Sequence, residues 1–450
     1  MNAGCVAAGL FALALPFFAH ARPPNIVLIV ADDLGYSDVG FTGGKDIPTP
    51  RIDRLARDGV EFTAGYVTHP YCSPSRAGLL SGRAQARFGH ECNPGNGPEE
   101  GLPVTETLLP AKLKPAGYVS ALVGKWHLGA AEKFRPLQRG FDEFFGFLGG
   151  TFPYFVNARA RGNADTDFIL RGNERVDPKT IAYLTETLAA EGAAFIRRQR
   201  AQPFFLYLAF NAPHAPDQAT PKYLERFPDL TGARRTYAAM VSALDDGVGV
   251  VLDELRRQNL DENTLVFFIS DNGGRAEAAT NRPFRGLKGS TFEGGVRVPF
   301  AARWTGHFAP GTICRTPVSS LDIHATALAR AGIAPLTDDH VEGLDLVPIV
   351  AATEGTMASR TLFWRVWSGW DFALREGNYK LTKPGWSEEA MLFDLSADVS
   401  EHRDLSATLP DVKARLLEKW KQWNAANVPQ RWDDEHKRNV AREKAAGWLD

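Results

Sequence analysis

Four short apolar runs punctuate the first 270 residues: NIVLIVA at 25–31, VSALV at 119–123, PFFLYLAF at 203–210 and TLVFFIS at 264–270. Runs of this length with little polar alternation fit strands buried on both faces of a parallel sheet. Helical patterns lie between them. Thr49-Pro50 opens one, Ile52, Leu55 and Ala56 give its apolar face, and Gly59 stops it. Residues 236–258 repeat Met240, Val241, Leu244, Val248, Val251, Leu252 and Leu255 at helical spacing. Strands alternating with helices predict an α/β domain built on a mostly parallel sheet. Beyond about residue 350 the pattern changes. TLFWRVW, FALREGNYKLT and MLFDL read as short antiparallel strands, residues 410–425 as a closing amphipathic helix, and the segment from Arg431 as a charged tail, either partly disordered or draped over the surface. The expected division is a larger domain at 22–350 and a small C-terminal α+β unit at 351–450.

The residues just after each apolar run are not those that packing would select. The first run leads into Asp32-Asp33, the second into Gly124-Lys125-Trp126-His127, the third into Asn211-Ala212-Pro213-His214, the fourth into Asp271-Asn272-Gly273-Gly274. Ligands of open α/β sheets bind beyond the carboxyl ends of the strands, so four parallel strands would gather these groups at one edge. Singly, each reads as a solvated turn or an ordinary loop histidine; together they predict a site. Asp32, Asp33, Asp271 and Asn272 offer oxygen only, which suits calcium, and magnesium less well. Zinc would call for histidine or thiolate ligands, and no HxxxH or CxxC spacing occurs. Three convergent carboxylates would repel one another, which argues for a divalent cation among them. Arg76, Lys125, His127, His214 and Lys288 would surround an anionic group, although Lys288 alone, in FRGLKGSTFEGGVRVP, reads as a surface lysine.

The chain has 450 residues, 44% hydrophobic and 23% charged, as expected of a soluble globular protein with one large core and a smaller one. A net charge of -2 gives no field that would draw nucleic acid or an anionic membrane. Residues 6–19 (VAAGLFALALPFFA) and the Ala19-His20-Ala21 cleavage pattern read as a signal peptide spanning 1–21, with a periplasmic or secreted mature protein and no membrane anchor. The segment ahead of the apolar run has no Lys or Arg. Three cysteines remain after cleavage: Cys72, Cys92 and Cys314. Cys92 and Cys314 fit either a disulfide or two separate buried thiols. Cys72, in YCSPSRAGLLSGR, reads as a small buried thiol or as a thiolate favoured by Arg76. Pro74 places it at the start of a helix, where backbone N–H groups suit an anion.

Cys72, Pro74 and Arg76 also fit the C-x-P-x-R signature at which a cysteine is oxidised to formylglycine, with Ser81-Gly82-Arg83 extending the match. With PNIVLIVADDLGYSDVG, GKWHLG, FNAPHAP, SDNGG, FRGLKGSTFEGGVRVP, REGNYKL and LFDLSAD in order, the chain resembles the type I sulfatases of the alkaline-phosphatase superfamily, including arylsulfatases and N-acetylgalactosamine-6-sulfatases. The resemblance implies an α/β/α sandwich followed by a small antiparallel sheet with one helix. It implies a formylglycine formed from Cys72 by a maturase, and calcium held by Asp32, Asp33, residue 72, Asp271 and Asn272. Asp271 would activate the nucleophile, and Arg76 and Lys125 would hold it and the sulfate. Lys288 and His214 would bind sulfate, His214 would protonate the leaving alcohol, and His127 would accept the second proton. The implied substrate is a sulfated carbohydrate. The alternatives are a phosphonate monoester hydrolase or phosphodiesterase of the same superfamily, or a secreted glycan-binding protein in which Cys72 is never oxidised. Arg83, Arg87, His90 and Glu91 could line a sugar subsite or form a solvated face. Trp364, Trp367 and Trp370 could stack on sugars, but their spacing favours core.

Overall fold

All four apolar runs form strands: β1 (Asn25–Ala31), β2 (Val119–Lys125), β3 (Phe204–Ala209) and β4 (Thr264–Ser270). They lie in the order β4-β1-β3-β2, mutually parallel, at the centre of a ten-stranded sheet. Glu143–Phe147 continues the parallel set beyond β2, and Phe300–Arg303 runs antiparallel beside β4. The computed structural model describes residues 22–156, 164–334, 340–352 and 360–433. The expected leader at 1–21 and most of the tail lie outside those residues.

Every side chain of β1, β3 and β4 is buried, which is why these runs are continuous rather than alternating. Alternate positions feed opposite faces. Ile26, Leu28 and Val30 enter one core, and Val27, Ile29 and Ala31 enter the other. Four helices matter for the site: α1 (Pro50–Arg57), α2 (Cys72–Ser81), α3 (Leu184–Gln199) and α4 (Gly232–Arg257). The apolar residues of α1, α3 and α4 cover one face of the sheet, and those of α2 and of Leu321–Arg330 cover the other. The α/β/α sandwich is therefore observed.

Two local details differ from the expectation. β2 runs two residues past 123, so Lys125 is the last strand residue rather than the start of a turn. Gly124 permits this. Its φ is +115°, and a Cβ there would stand 1.9 Å from the carbonyl oxygen of Ala209 on the neighbouring strand, so only glycine keeps the pairing at that point. At α1, the Thr49 hydroxyl donates to Asp53 instead of capping the helix. The first-turn amides of Arg51 and Ile52 donate to the Asp245 carboxylate of α4, at 3.0 and 2.8 Å.

The C-terminal unit is a four-stranded antiparallel sheet in sequence order, from Thr361–Val366 through Asp371–Glu376 and Tyr379–Lys383 to Met391–Asp394. Helix α5 (Pro410–Ala425) covers it through Leu416 and Trp420, the latter stacked on Phe372 at 3.9 Å. Trp364 and Trp367 are buried and Trp370 is partly buried, in line with the core reading; the last two flank a short turn rather than sharing a strand. Trp364 donates its indole N–H to Val67 at 2.7 Å, tying this sheet to the main core. After α5 the chain drapes back over the segment beyond α2, through Val428 to Ala86, Arg431 to Gly89 and Trp432 to Asn93. Cys92 and Cys314 are both buried.

Candidate active site

The parallel register brings the polar strand ends together. Ala31 pairs with Ser270, so Asp32 and Asp271 leave adjacent strands side by side, and the Asp271 amide donates to Ala31 at 3.0 Å. The next residue, Asp33, takes a φ of +63°, and His127 beyond β2 takes +59°. Such left-handed conformations at non-glycine residues are held by their surroundings and are typical of functional positions. Cys72 is the first residue of α2, a helix whose ten residues are all buried. Its Sγ stands 3.5 Å from an Asp32 oxygen and 3.8 Å from an Asp33 oxygen. The helix N-terminus adds a partial positive charge there.

Arg76 lies one turn further on the same helix face. It grips Asp271 with Nε at 2.9 Å and Nη2 at 2.7 Å, and Nη2 is 3.6 Å from Asp32. Lys125 Nζ is 2.7 Å from Asp32, and Lys288 Nζ is 2.8 Å from each oxygen of Asp33. His214 reaches the same carboxylate, with Nε2 3.6 Å from Asp33, while its Nδ1–H donates to the carbonyl of Ala215 at 2.7 Å. Asn272 donates its amide to Asp33 at 2.8 Å and to Gly273 at 2.9 Å, which turns its carbonyl oxygen inward, buried and without a hydrogen-bond partner. Asp32, Asp33, Cys72, Arg76, Lys125, His214, Asp271, Asn272 and Lys288 thus fall in one cluster, and His127 is buried.

The electrostatics refine two of the expectations. Repulsion among Asp32, Asp33 and Asp271 is met inside the protein by Lys125, Lys288 and Arg76 respectively, so charge balance alone does not call for a metal. The donor set is what favours one. Asp32, Asp33, Cys72 and His214 each offer a ligand atom within 4.8 Å of the others, and the buried Asn272 oxygen, on the residue after Asp271, has no hydrogen-bond partner. These acidic residues and Cys72 can hold a metal ion, and the oxygen donors fit a hard divalent cation. Burial disfavours ionisation of Cys72, yet Lys125 and Lys288 leave its pKa below the ordinary thiol value. The two lysines are the largest sources of this acidity, and Arg76, bound to Asp271, also interacts electrostatically with Cys72.

The two histidines are driven apart. Burial opposes a charge on His214, but Asp33 and Asp32 outweigh it and raise its pKa. His127 is pushed well below its ordinary value by burial and by Lys125, Arg76 and Lys288. One histidine is thus suited to carry a proton at neutral pH and the other to remain neutral. The absence of a side chain at Gly150 gives the His127 ring its place, since a Cβ there would lie 2.5 Å from Nε2. Beside His127 opens a cavity of roughly 260 Å3 whose polar lining includes Asn96, Thr151, Thr166 and Asp167.

These features belong to a known arrangement: the sulfatase family model matches residues 24–333. The chain belongs to the sulfatase family. It is 40% identical to the N-acetylgalactosamine-6-sulfatase of Mus musculus over 377 residues, covering 79% of this chain and 71% of the relative. It is also 40% identical to that of Homo sapiens over 364 residues, covering 76% and 68%. Among solved structures, Ps i-CgsB in complex with k-i-k-neocarrahexaose superposes with a TM-score of 0.88 at 36% identity, covering 94% of this chain and 98% of that one. The phosphonate monoester hydrolase of Agrobacterium radiobacter shares the fold, at a TM-score of 0.65 and 21% identity, with 90% and 96% covered.

This sulfatase is a sulfuric ester hydrolase. Its post-signature residues do not behave as either expected alternative. Arg83 pairs with Glu106 at 2.8 Å, Arg87 with Glu342 at 3.2 Å, and buried Glu91 with Arg365 at 2.6 Å. His90 is fully buried and meets the Ser73 hydroxyl at 2.7 Å, while that hydroxyl donates to the His127 carbonyl at 2.6 Å. Of these, His90 supports the site through Ser73, which lies next to Cys72 and holds the His127 backbone. The Ser73–His90 link and Tyr207, 3.4 Å from Arg76, were not legible in the sequence. Ser73 hides inside the signature, and Tyr207 inside the apolar run of β3.

Proposed function

We propose that the enzyme hydrolyses sulfate esters of a sulfated carbohydrate, with residue 72 acting as nucleophile in its formylglycine form and with calcium bound by Asp32, Asp33, residue 72, Asp271 and Asn272. The observation that carries this reading is the position of Cys72 at the N-terminus of buried α2, against two carboxylates and inside a ring of cations. A hydrated formylglycine supplies a hydroxyl nucleophile and a second hydroxyl through which the carbon can release sulfate without water attacking sulfur. Calcium, when bound, supplies positive charge that acidifies a hydroxyl and steadies a sulfate oxygen.

The protein's own groups do the rest. Asp271 accepts the proton of the attacking hydroxyl. Arg76 and Lys125 hold that hydroxyl and the sulfate oxygens as charge develops. Lys288 and His214 border the partly exposed side of the cluster and bind the outer sulfate oxygens. His214, whose pKa is raised by Asp33 and Asp32, donates to the departing alcohol. His127, held neutral, accepts the proton of the second hydroxyl. The cavity beside His127 takes the sugar that leaves. The named activities of the N-acetylgalactosamine-6-sulfatases, and the carrageenan oligosaccharide named for the structural neighbour, favour a sulfated galactose or galactosamine unit.

Two further expectations complete the reading: export to the periplasm or outside, directed by residues 1–21, and conversion of Cys72 by a formylglycine-generating maturase. Expression with and without such a maturase tests them together with the chemistry. The expected result is a residue-72 peptide lighter than its thiol form and sulfatase turnover proportional to the converted fraction. Full turnover by protein bearing only the thiol would overturn the proposal, and protein that stays unmodified and inactive with the maturase present, yet binds sulfated glycans, would favour the binding-protein alternative.

A further inference from the structure

We propose that Lys380, in the C-terminal sheet, is a positioning residue for Lys288 and acts on it through Glu293. The proposal rests on the reading of Lys288 as a sulfate-binding group. Lys380 is fully buried beneath the loop that carries Lys288, and no step of the chemistry uses it. Its Nζ lies 2.8 Å from Glu293 and 3.0 Å from Glu401, both fully buried, and the Glu293 amide donates to Glu401 at 2.6 Å. One ammonium thus joins the two carboxylates, while Arg297 at 3.2 Å and the Tyr66 hydroxyl at 2.7 Å hold the other oxygen of Glu293.

Glu293 is in close reach of Lys288. It begins a short helical turn, Glu293–Val296, folded back under the lysine loop. The Gly294 amide donates to Arg285 at 2.7 Å, and a Cβ on Gly295 would meet the carbonyl oxygens of Ser290 at 1.9 Å and Leu287 at 2.7 Å. The backbone on both sides of Lys288 therefore rests directly on the turn that Lys380 anchors. On its upper side, Lys288 N donates to Gly274 and Gly289 N to Pro70, joining the loop to the end of β4 and to the segment ahead of Cys72. A displacement of Glu293 has little to absorb it before the Lys288 ammonium leaves Asp33.

Stability does not account for such a network. Buried ion pairs replaced by apolar groups of similar volume are often neutral or better, whereas removing one partner strands a buried charge. A fixed ionic clamp supplies instead a single loop position. The C-terminal sheet would thereby set the sulfate clamp of a site that contains none of its residues.

A double-mutant cycle decides this. The variants are Lys380→Met, Lys288→Ala and the pair, assayed per folded molecule on a sulfate ester with inorganic sulfate as inhibitor. Lys380→Met is expected to lower kcat/KM at least tenfold, with KM and the inhibition constant for sulfate rising. In the Lys288→Ala background it is expected to add less than twofold. If Lys380→Met does not fold, Glu401→Gln in the same cycle is expected to show a smaller effect that also vanishes in Lys288→Ala. A Lys380→Met enzyme with unchanged kcat/KM, or one whose loss multiplies in full with that of Lys288→Ala, overturns the positioning role. A Lys288→Ala enzyme with full activity overturns the sulfate-binding reading itself, and with it this proposal.

Discussion

His214 and His127 show how far one residue type can be divided by its neighbours. The pKa of the same imidazole is raised beside Asp33 and lowered by burial and by Lys125, Arg76 and Lys288. If His214 protonates the leaving alcohol, His214→Ala should slow hydrolysis of a sugar sulfate by about 10²-fold or more. It should slow 4-nitrophenyl sulfate far less, because that leaving group needs no proton. Equal losses on the two esters would assign His214 to sulfate binding alone. Residue types and their positions after the apolar runs were readable from the sequence; their pairings were not. Nothing in the order of residues says that Arg76 serves Asp271, or that Lys125 and Lys288 act most strongly on the Cys72 thiol.

His90 makes a prediction about stability. Burial, with Arg139 and Arg431, lowers its pKa to about 3 from an ordinary value near 6.5. The unfolded chain therefore binds a proton between those values that the folded chain refuses, and folding loses ~1.4 kcal/mol per pH unit below about 6.5 from this group. His90→Gln keeps a donor for Ser73 and removes the titration. The stability gap between the parent and His90→Gln should shift in favour of the variant as pH falls from 7 to 5, measured by urea unfolding. A gap independent of pH would show that His90 is not held neutral.

At the scale of elements, continuous apolar runs located the strands, because burial on both faces leaves no polar alternation to confuse the reading. Helix α2 was harder. All ten of its residues are buried, so it has no polar face, and only Pro74 and the sequence Ala77 to Leu80 marked it. The end of β2 was misplaced because glycine usually closes a strand, whereas Gly124 continues one. Gly124→Ala should cost at least about 3 kcal/mol, since a left-handed φ and a blocked Cβ coincide, and thermal unfolding would register it; a small change would mean that the strand can shift away. The cap on α1 came from Asp245, 194 positions from Arg51, a pairing that local sequence rules cannot foresee. Asp245→Ala should cost about 1–2 kcal/mol while leaving kcat/KM unaltered.

At the scale of the whole molecule, the site joins parts that are distant in sequence. Strand ends supply the carboxylates, α2 supplies Cys72, and the loop that precedes Glu293 supplies Lys288. A divalent ion at this junction would bind the folded chain only, so calcium at 100 times its dissociation constant should add about 2.7 kcal/mol. A chelator should lower Tm accordingly, and Asn272→Ala should shrink the calcium-dependent increment; a Tm indifferent to calcium would rule out a metal at this junction. Fold class and the clustering of the site were legible because topology places parallel strand ends together. The bracing by residues 428–433 and by Lys380 was not, because those contacts depend on how two units pack.

That this cage acts on sulfate is tested by kcat/KM of the converted enzyme on 4-nitrophenyl sulfate and on a matched 4-nitrophenyl phosphonate monoester under one set of conditions. Sulfate is expected to be preferred by at least 10²-fold, with all turnover abolished in Cys72→Ala. A preference for the phosphonate would show that the cage is built for a different anion.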